Sequence, residues 1–372
     1  MRILQLGKFY PIRGGVEKVM YDIMLGLSDR GIYCDMLCAS TEDHPQEDIK
    51  LNDYATVFVI KTSIKASATM LAPGLITRLR NIASSYDIIH VHHPDPMATL
   101  ALFLSGYKGK VILHWHSDIL KQKTLLKLYK PLQSWLIKRA DLIVGTTPVY
   151  VQQSSFLQNV QNKIDFIPIG VLPVQAQPQL TDNLRKQYAG KTLVFSLGRL
   201  VEYKGFEYLI EAAMYLPQHY KIVIGGKGPL KDSLQDLISH YKLQDKVELL
   251  GFISDEEAHA YYEISNLFVL SSVFKTEAFA IVQIEAMSAG TPIVTAEIPG
   301  SGVSWVNEHE TSGLICERKN AKDMAKCINL LEQNNQLYKK LCEGAKNRFK
   351  NNFHRDVMID KTVALYLKLL SN

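Results

Sequence analysis

Two cations, two carboxylates and a histidine stand out by type and by setting. Gly198-Arg199-Leu200-Val201-Glu202-Tyr203-Lys204-Gly205 follows an apolar run and precedes a helical pattern, which puts Arg199 and Lys204 in a loop at a strand's C-terminal end. A guanidinium fork beside a mobile ammonium suits a diphosphate and can stabilise it as a leaving group without a metal. From this loop alone, two solvated surface charges explain the residues equally well. Further on, residues 280–289 read as a helix closed by Gly290, with Pro292 beyond it. The start of that helix, at Phe279, Ala280 and Ile281, offers free amides and a partial positive charge to an anion. Glu277 lies just before it and Glu285 inside it. Glu285 could accept from both hydroxyls of a ribose, and Glu277 from hydroxyls of a sugar beside the phosphates. The plain alternatives are a helix-start glutamate favoured by the dipole and a surface glutamate. Ile281, Val282, Ile284 and Met287 leave little polar face around Glu285.

The first half carries a second set. In Pro11-Ile12-Arg13-Gly14-Gly15-Val16-Glu17, the paired glycines let backbone approach a ligand, or they make an ordinary strand-to-helix turn. His114-Trp115-His116-Ser117-Asp118 ends an apolar strand, with His114 and His116 on one side of it. His90, His92, His93, His114 and His116 could cluster, but their spacing matches no metal-ligand motif, so histidines at a sheet end near a sugar are expected rather than a metal site. Gly225-Gly226-Lys227-Gly228-Pro229 is a glycine loop after a strand, a weak signal by itself.

The elements that must hold these residues alternate as apolar strands and helices, twice over, the mark of parallel sheets with crossover helices. Strands are expected at 3–6, 33–37, 57–60, 88–91, 111–114, 142–144 and 164–167, then at 193–197, 220–224, 247–250, 267–270, 292–295 and 314–316. Val16, Val19, Met20, Ile23, Met24 and Leu27 mark one face of the first helix. A Pro- and Gln-containing stretch at 170–179 reads as a connection. The expected organisation is α/β: two Rossmann-like domains, 1–172 and 173–353, facing across a cleft, with a helix at 354–372 packing back on the first.

At 372 residues, 47% hydrophobic and 21% charged, the chain has material for two cores. No run reaches the length of a membrane-spanning helix, and Met1 leads straight into a strand-like run with no room for a secretory leader. The five scattered cysteines suit thiols in a reducing cytoplasm. A net charge of +5 without a binding motif argues against nucleic acid. Residues 120–139 carry Lys121, Lys123, Lys127, Lys130, Lys138 and Arg139 with no acid, broken at Pro131. Such a face could lie on anionic headgroups or be a solvated helix face. A nicotinamide dehydrogenase is disfavoured because no G-x-G-x-x-G follows either domain's first strand.

Two glutamates with seven residues between them, then Ala-Met and Gly-Thr-Pro, together with Gly-Arg-Leu-x4-Gly, resemble retaining glycosyltransferase family 4 of GT-B fold, essentially end to end. The resemblance implies that Arg199 and Lys204 bind the donor diphosphate, Glu277 the donor sugar and Glu285 the ribose. It implies donor contacts at Gly14 and Gly15, through Gly-Gly-x-Glu, and at His116, and it places Ile253 of Gly251-Phe252-Ile253-Ser254 near the base. Where the family has glycine after the phenylalanine, this chain has Ala280. The segments 114–123 and 298–307 look like bacterial mannosyl- and rhamnosyltransferases of O-antigen or capsule assembly. That likeness implies a nucleotide-sugar donor, GDP-mannose before UDP- or dTDP-sugars, and a polyprenyl-diphosphate-linked saccharide acceptor. It also implies peripheral association with the cytoplasmic membrane face, and direct displacement with retention and no metal cofactor. A sugar-nucleotide epimerase of the same fold is the rival enzyme, and a degenerate binding protein is disfavoured by the four intact residues.

Overall fold

The computed structural model describes residues 1–41, 44–66, 69–119 and 123–371. The chain forms two compact units: one runs from Met1 to Gly170 and takes in the segment from Arg355 onward, and the other is Val171–His354.

The first unit holds β1 (Arg2–Tyr10), β2 (Tyr33–Ser40), β3 (Glu47–Asn52), β4 (Ala55–Ile60), the short pair β5 (Ile64–Ala66) and β6 (Thr69–Leu71), β7 (Ile88–His93), β8 (Lys110–Trp115), β9 (Leu142–Gly145) and β10 (Ile164–Phe166). Its main sheet has the order β10-β9-β8-β7-β1-β2-β4-β3. Every pairing in it is parallel except β3 with β4. The central strands are buried almost throughout, as strands covered on both faces must be, and each expected strand falls on an observed one. The antiparallel edge strand β3 was not expected from Glu-Asp-Ile-Lys-Leu-Asn, because an exposed edge needs no apolar run.

Val19, Met20, Ile23, Met24 and Leu27 are buried in the helix Gly15–Ser28, which is the face its period predicts. The C-terminal helix Arg355–Ser371 belongs to this unit. Arg355 meets Asp29 at 3.0 Å and Arg30 meets Asp360 at 2.5 Å, while Tyr366 reaches the buried Gln5 at 3.1 Å.

Pro131 does not break the basic segment, contrary to expectation: a single helix runs Lys123–Arg139 with the proline inside. Proline costs the bond its amide would have made, and the buried inner face of Tyr129, Gln133, Leu136 and Ile137 holds the two halves in line. Lys127, Lys130 and Lys138 are exposed on the outer face beside Leu128, which is 80% exposed. Leu120, Lys121 and Gln122 lie outside the described residues. No described helix is long and apolar enough to cross a membrane.

The second unit holds β11 (Thr192–Leu197), β12 (Tyr220–Gly225), β13 (Val247–Gly251), β14 (Leu267–Leu270), β15 (Ile293–Ala296) and β16 (Gly313–Cys316). They are all parallel, in the order β13-β12-β11-β14-β15-β16. The winding reverses between β11 and β14 here, and between β1 and β7 in the first unit. Loops leaving the C-terminal ends of two such strands diverge and open a crevice, the usual ligand position in this architecture.

Candidate functional site

In the second unit the residues singled out by type gather at that reversal. Arg199 and Lys204 follow β11, and Glu277 lies in the loop after β14, ahead of the helix Ile281–Ala289. The loop after β11 ends in a short turn, Glu202–Lys204, closed by the left-handed Gly205. Lys204 is thereby turned inward: its Nζ donates to Glu277 Oε2 at 2.5 Å. The same oxygen accepts from the Ser272 hydroxyl at 2.8 Å, and the Ser271 hydroxyl donates to the Lys204 carbonyl at 2.9 Å. The side chains of Lys204 and Glu277 are 9% and 10% exposed, so each charge is compensated chiefly by the other. Arg199 is exposed and, among the described residues, makes only a long contact, 3.4 Å, to the Tyr203 hydroxyl, which leaves its fork available to a ligand.

The loops around this pair are sewn together by backbone. Gly198 N–H donates to the Gly225 carbonyl at 3.0 Å, and Gly226 N–H to the Gly251 carbonyl at 2.6 Å. Gly226 has φ +140°, and a Cβ there would lie 1.8 Å from the Gly198 carbonyl oxygen. The glycine loop that is weak as a sequence signal is therefore a requirement of the loop that carries Arg199 and Lys204.

The helix Ile281–Ala289 has no side-chain cap at its N-terminus, and Gly290 closes it in the left-handed conformation as expected. Its N-cap, Ala280, has φ 62° and ψ 84°. An alanine held there costs about 1 kcal/mol against glycine. The Phe279 ring is buried edge-on to Phe353, with centroids 5.9 Å apart, and its carbonyl takes the Gln283 amide at 2.9 Å. Phe279 therefore shapes the helix start from below. Ile281 is half-buried on the first turn.

Glu285 is half-buried in the helix, and the buried Tyr262 hydroxyl donates to its Oε2 at 2.8 Å. Burial, with the nearby Glu285 charge second, pushes the Tyr262 phenol well above its usual range, so it stays a donor. Sequence reasoning missed Tyr262 because its helix face reads as plain core. Ile253 follows β13, half-buried over Gly225, and next to it the exposed Phe252 ring has Lys227 Nζ 4.9 Å from its centroid.

In the first unit, Gly14 and Gly15 have φ 116° and 60°, and they start the helix Gly15–Ser28 without a side-chain cap. His116 follows β8, while His90, His92 and His93 end β7. His92 pairs in register with His114, so these rings share one sheet face with His116. His114 stacks on His116 with centroids 4.0 Å apart and planes 10° apart. Burial drives His90, His92, His93 and His116 well below the ordinary imidazole value, and His114 down to about 3. The rings are neutral.

Nitrogens of His90, His92 and His114 lie within 4.8 Å of one another, the reach of three metal ligands. Their planes, however, are only 11–24° apart at centroid separations of 4.8–5.2 Å. Lone pairs in near-parallel stacked rings run side by side and do not converge on one ion.

Beside this row sits Lys8, which the sequence did not single out. Its Nζ donates to the Pro94 carbonyl at 2.5 Å and its backbone N–H to Asp95 at 2.6 Å. Burial lowers the Lys8 ammonium, opposed by Asp95 and Glu17, and raises both carboxyls.

The family described as "Glycosyl transferases group 1" matches residues 182–348, and "Glycosyltransferase Family 4" matches 13–173. The chain is 30% identical to the O-antigen chain mannosyltransferase C of Escherichia coli over 376 residues, covering 100% of both. It is 28% identical to the D-rhamnosyltransferase WbpZ of Pseudomonas aeruginosa, over 95% of this chain and 92% of that one. Among solved structures, Anabaena Alr3699/HepE in complex with UDP shares the fold at TM-score 0.78 and 21% identity, covering 99% of this chain and 100% of that one. A sucrose-phosphate synthase from Thermosynechococcus elongatus does so at TM-score 0.80 and 18% identity, covering 100% of both.

Two stability measurements check the site's local physics. Ala280→Gly relieves the left-handed alanine and should stabilise the protein by about 1 kcal/mol in urea unfolding; a loss would mean that the methyl group packs usefully. The second concerns the neutral histidines. Their folded values lie below the unfolded value of about 6.5, so stability present above it is lost as pH falls, by up to about 1.4 kcal/mol per pH unit for each ring. For His114 this continues down to about pH 3. His114→Phe should therefore flatten the loss of unfolding free energy between about pH 6.5 and about pH 5 relative to the parent. An identical pH slope would contradict it.

Proposed function

The chain belongs to the group 1 and family 4 glycosyltransferases, and from that membership we propose that it carries mannose from GDP-mannose, with retention, to a polyprenyl-diphosphate-linked glycan in bacterial surface-polysaccharide assembly. The observation that carries the reading is the set at the β11/β14 reversal: an available Arg199, a buried Lys204–Glu277 pair and an uncapped helix start, all on one crevice. Mannose is supported by the full-length likeness to the Escherichia coli mannosyltransferase. A D-rhamnosyl donor is the second reading, supported by the likeness to WbpZ.

In this reading the acceptor hydroxyl attacks the anomeric carbon on the face the nucleotide leaves. The bond from that carbon to the phosphate oxygen breaks, the new glycosidic bond forms, and the acceptor's proton passes to the departing phosphate. Arg199, Lys204 and the amides at Ala280 and Ile281 take up the charge that develops on the diphosphate, so no metal ion is required. Glu277 holds hydroxyls of the transferred sugar, and Glu285, aimed by Tyr262, holds the ribose. Ile253 lies by the base. In the first unit, Gly14 and Gly15 bring backbone to the donor phosphates, and His116 receives the donor sugar. The exposed Lys127, Lys130 and Lys138 with Leu128 supply a face for anionic headgroups at the cytoplasmic side of the membrane.

Radiolabelled GDP-mannose offered with a synthetic polyprenyl-diphosphate saccharide should label the lipid product, with the anomeric configuration kept. Transfer from a UDP- or dTDP-sugar in its place would redirect the donor, and donor turnover without acceptor would favour an epimerase. Arg199→Ala should lower kcat by about 100- to 1000-fold with an unchanged circular dichroism spectrum; an unchanged rate would remove Arg199 from the mechanism. The protein should float with anionic liposomes at low salt and be released at high salt. Sedimentation away from the vesicles at low salt would refute the membrane assignment.

A further inference from the structure

His116 is the near end of a row of buried polar side chains that crosses three adjacent strands and ends on the C-terminal helix. His116 Nε2 lies 2.9 Å from His92 Nδ1, and His92 Nε2 lies 2.7 Å from Gln5 Oε1. The other end of that amide, Gln5 Nε2, donates to the Tyr366 hydroxyl at 3.1 Å, and the hydroxyl lies 2.6 Å from His90 Nδ1. All five residues are buried, and of them only His116, at the near end of the row, keeps any exposure, 5%.

The direction of every bond in the row follows from its middle. A carbonyl oxygen can only accept, so His92 must carry its proton on Nε2. A neutral imidazole has one N–H, so His92 Nδ1 is bare and accepts. His116 must then donate from Nε2, which leaves its own Nδ1 without a proton. At the far end, the Tyr366 hydroxyl accepts from the Gln5 amide and donates a hydrogen bond to His90 Nδ1. Burial, which pushes His92 and His116 well below the ordinary imidazole value, removes the doubly protonated alternatives. His114, stacked on His116, limits rotation of the ring.

We infer that Gln5 and Tyr366 are positioning residues that fix His116 as its Nε2–H tautomer, so that its Nδ1 lone pair accepts a hydrogen bond from a hydroxyl of the transferred sugar. The inference deepens the reading of His116 given above and rests on it. It sets a chemical requirement on the ligand group that His116 meets. A hydroxyl satisfies it, whereas a phosphate or carboxylate oxygen would face the lone pair with one of its own. His116 is thus a selector for sugar hydroxyl and contributes nothing to holding the diphosphate.

The test is nitrogen NMR of the full chain labelled with 15N-histidine at neutral pH, with His116 assigned by its loss in His116→Ala. The parent should show a pyrrole-type shift at His116 Nε2 and a pyridine-type shift at Nδ1. The reverse pattern overturns the inference, and the parent spectrum alone decides this. Gln5→Met removes the acceptor that orients His92, and Tyr366→Phe removes the hydroxyl that orients Gln5. Both should move the His116 shifts toward exchange-averaged values and lower kcat/KM by about tenfold, the worth of one neutral hydrogen bond. A His116 pattern in Gln5→Met identical to the parent's also overturns it. The underlying reading fails separately: if His116→Ala transfers sugar at the parent rate while the parent shows the stated shifts, the tautomer stands and the sugar contact falls. If His116→Ala is inactive and the parent shifts are reversed, the sugar contact stands and the tautomer assignment falls.

Discussion

The buried contact between Lys204 and Glu277 is the constraint around which the second unit's site is arranged. Two full charges out of water are tolerable only in close contact with each other, and removing one partner of such a pair typically costs about 3–5 kcal/mol. The contact ties the loop after β11 to the loop after β14, the two loops that flank the reversal of the sheet. Ser272 shares the Glu277 oxygen, and the Ser301 hydroxyl donates to the Glu277 carbonyl, so the carboxylate is held from its backbone as well as from its tip. In the proposed function this pair is the donor site in its resting state, with cation and anion already placed where a phosphate and a sugar hydroxyl replace part of each one's partner.

The rest of the unit serves that placement. The mutual approach of Gly198 and Gly226 leaves no space for a side chain, so the loop carrying Arg199 and Lys204 has one path to follow. The left-handed Ala280 turns the chain into the helix at the price of local strain and leaves the first amides without a side-chain cap. The first unit solves a different problem. It keeps five histidines neutral at a sheet end, while in the proposed function the cations that meet the diphosphate, Arg199 and Lys204, belong to the second unit.

Much of this was legible in the sequence because it follows from period and punctuation. Apolar runs located the parallel strands, Gly290 and Pro292 located a helix end, and the order of the motifs set Arg199, Lys204 and Glu277 at strand ends. What escaped depends on contacts between distant residues. Tyr366 lies 361 residues from the Gln5 it meets, and Tyr262 reads as core until Glu285 is seen against it. Lys8 carries no signal in the sequence, since a lysine near the end of a strand is ordinarily solvated, whereas here it is buried where the backbone turns at φ 62°. Pro131 misled for the opposite reason: a local rule about proline was overridden by tertiary packing of the helix around it.

In the proposed function one buried pair divides the labour, Lys204 for the diphosphate and Glu277 for the sugar. Calorimetric titration of GDP and of GDP-mannose into the parent, Lys204→Met and Glu277→Gln tests it most directly. Lys204→Met should weaken both ligands alike. Glu277→Gln, which keeps a polar partner for Lys204 and Ser272, should leave GDP binding within about twofold of the parent, a change well under 1.4 kcal/mol, and abolish the additional affinity contributed by mannose. Equal losses for GDP and GDP-mannose in Glu277→Gln, or no loss in Lys204→Met, would contradict that division.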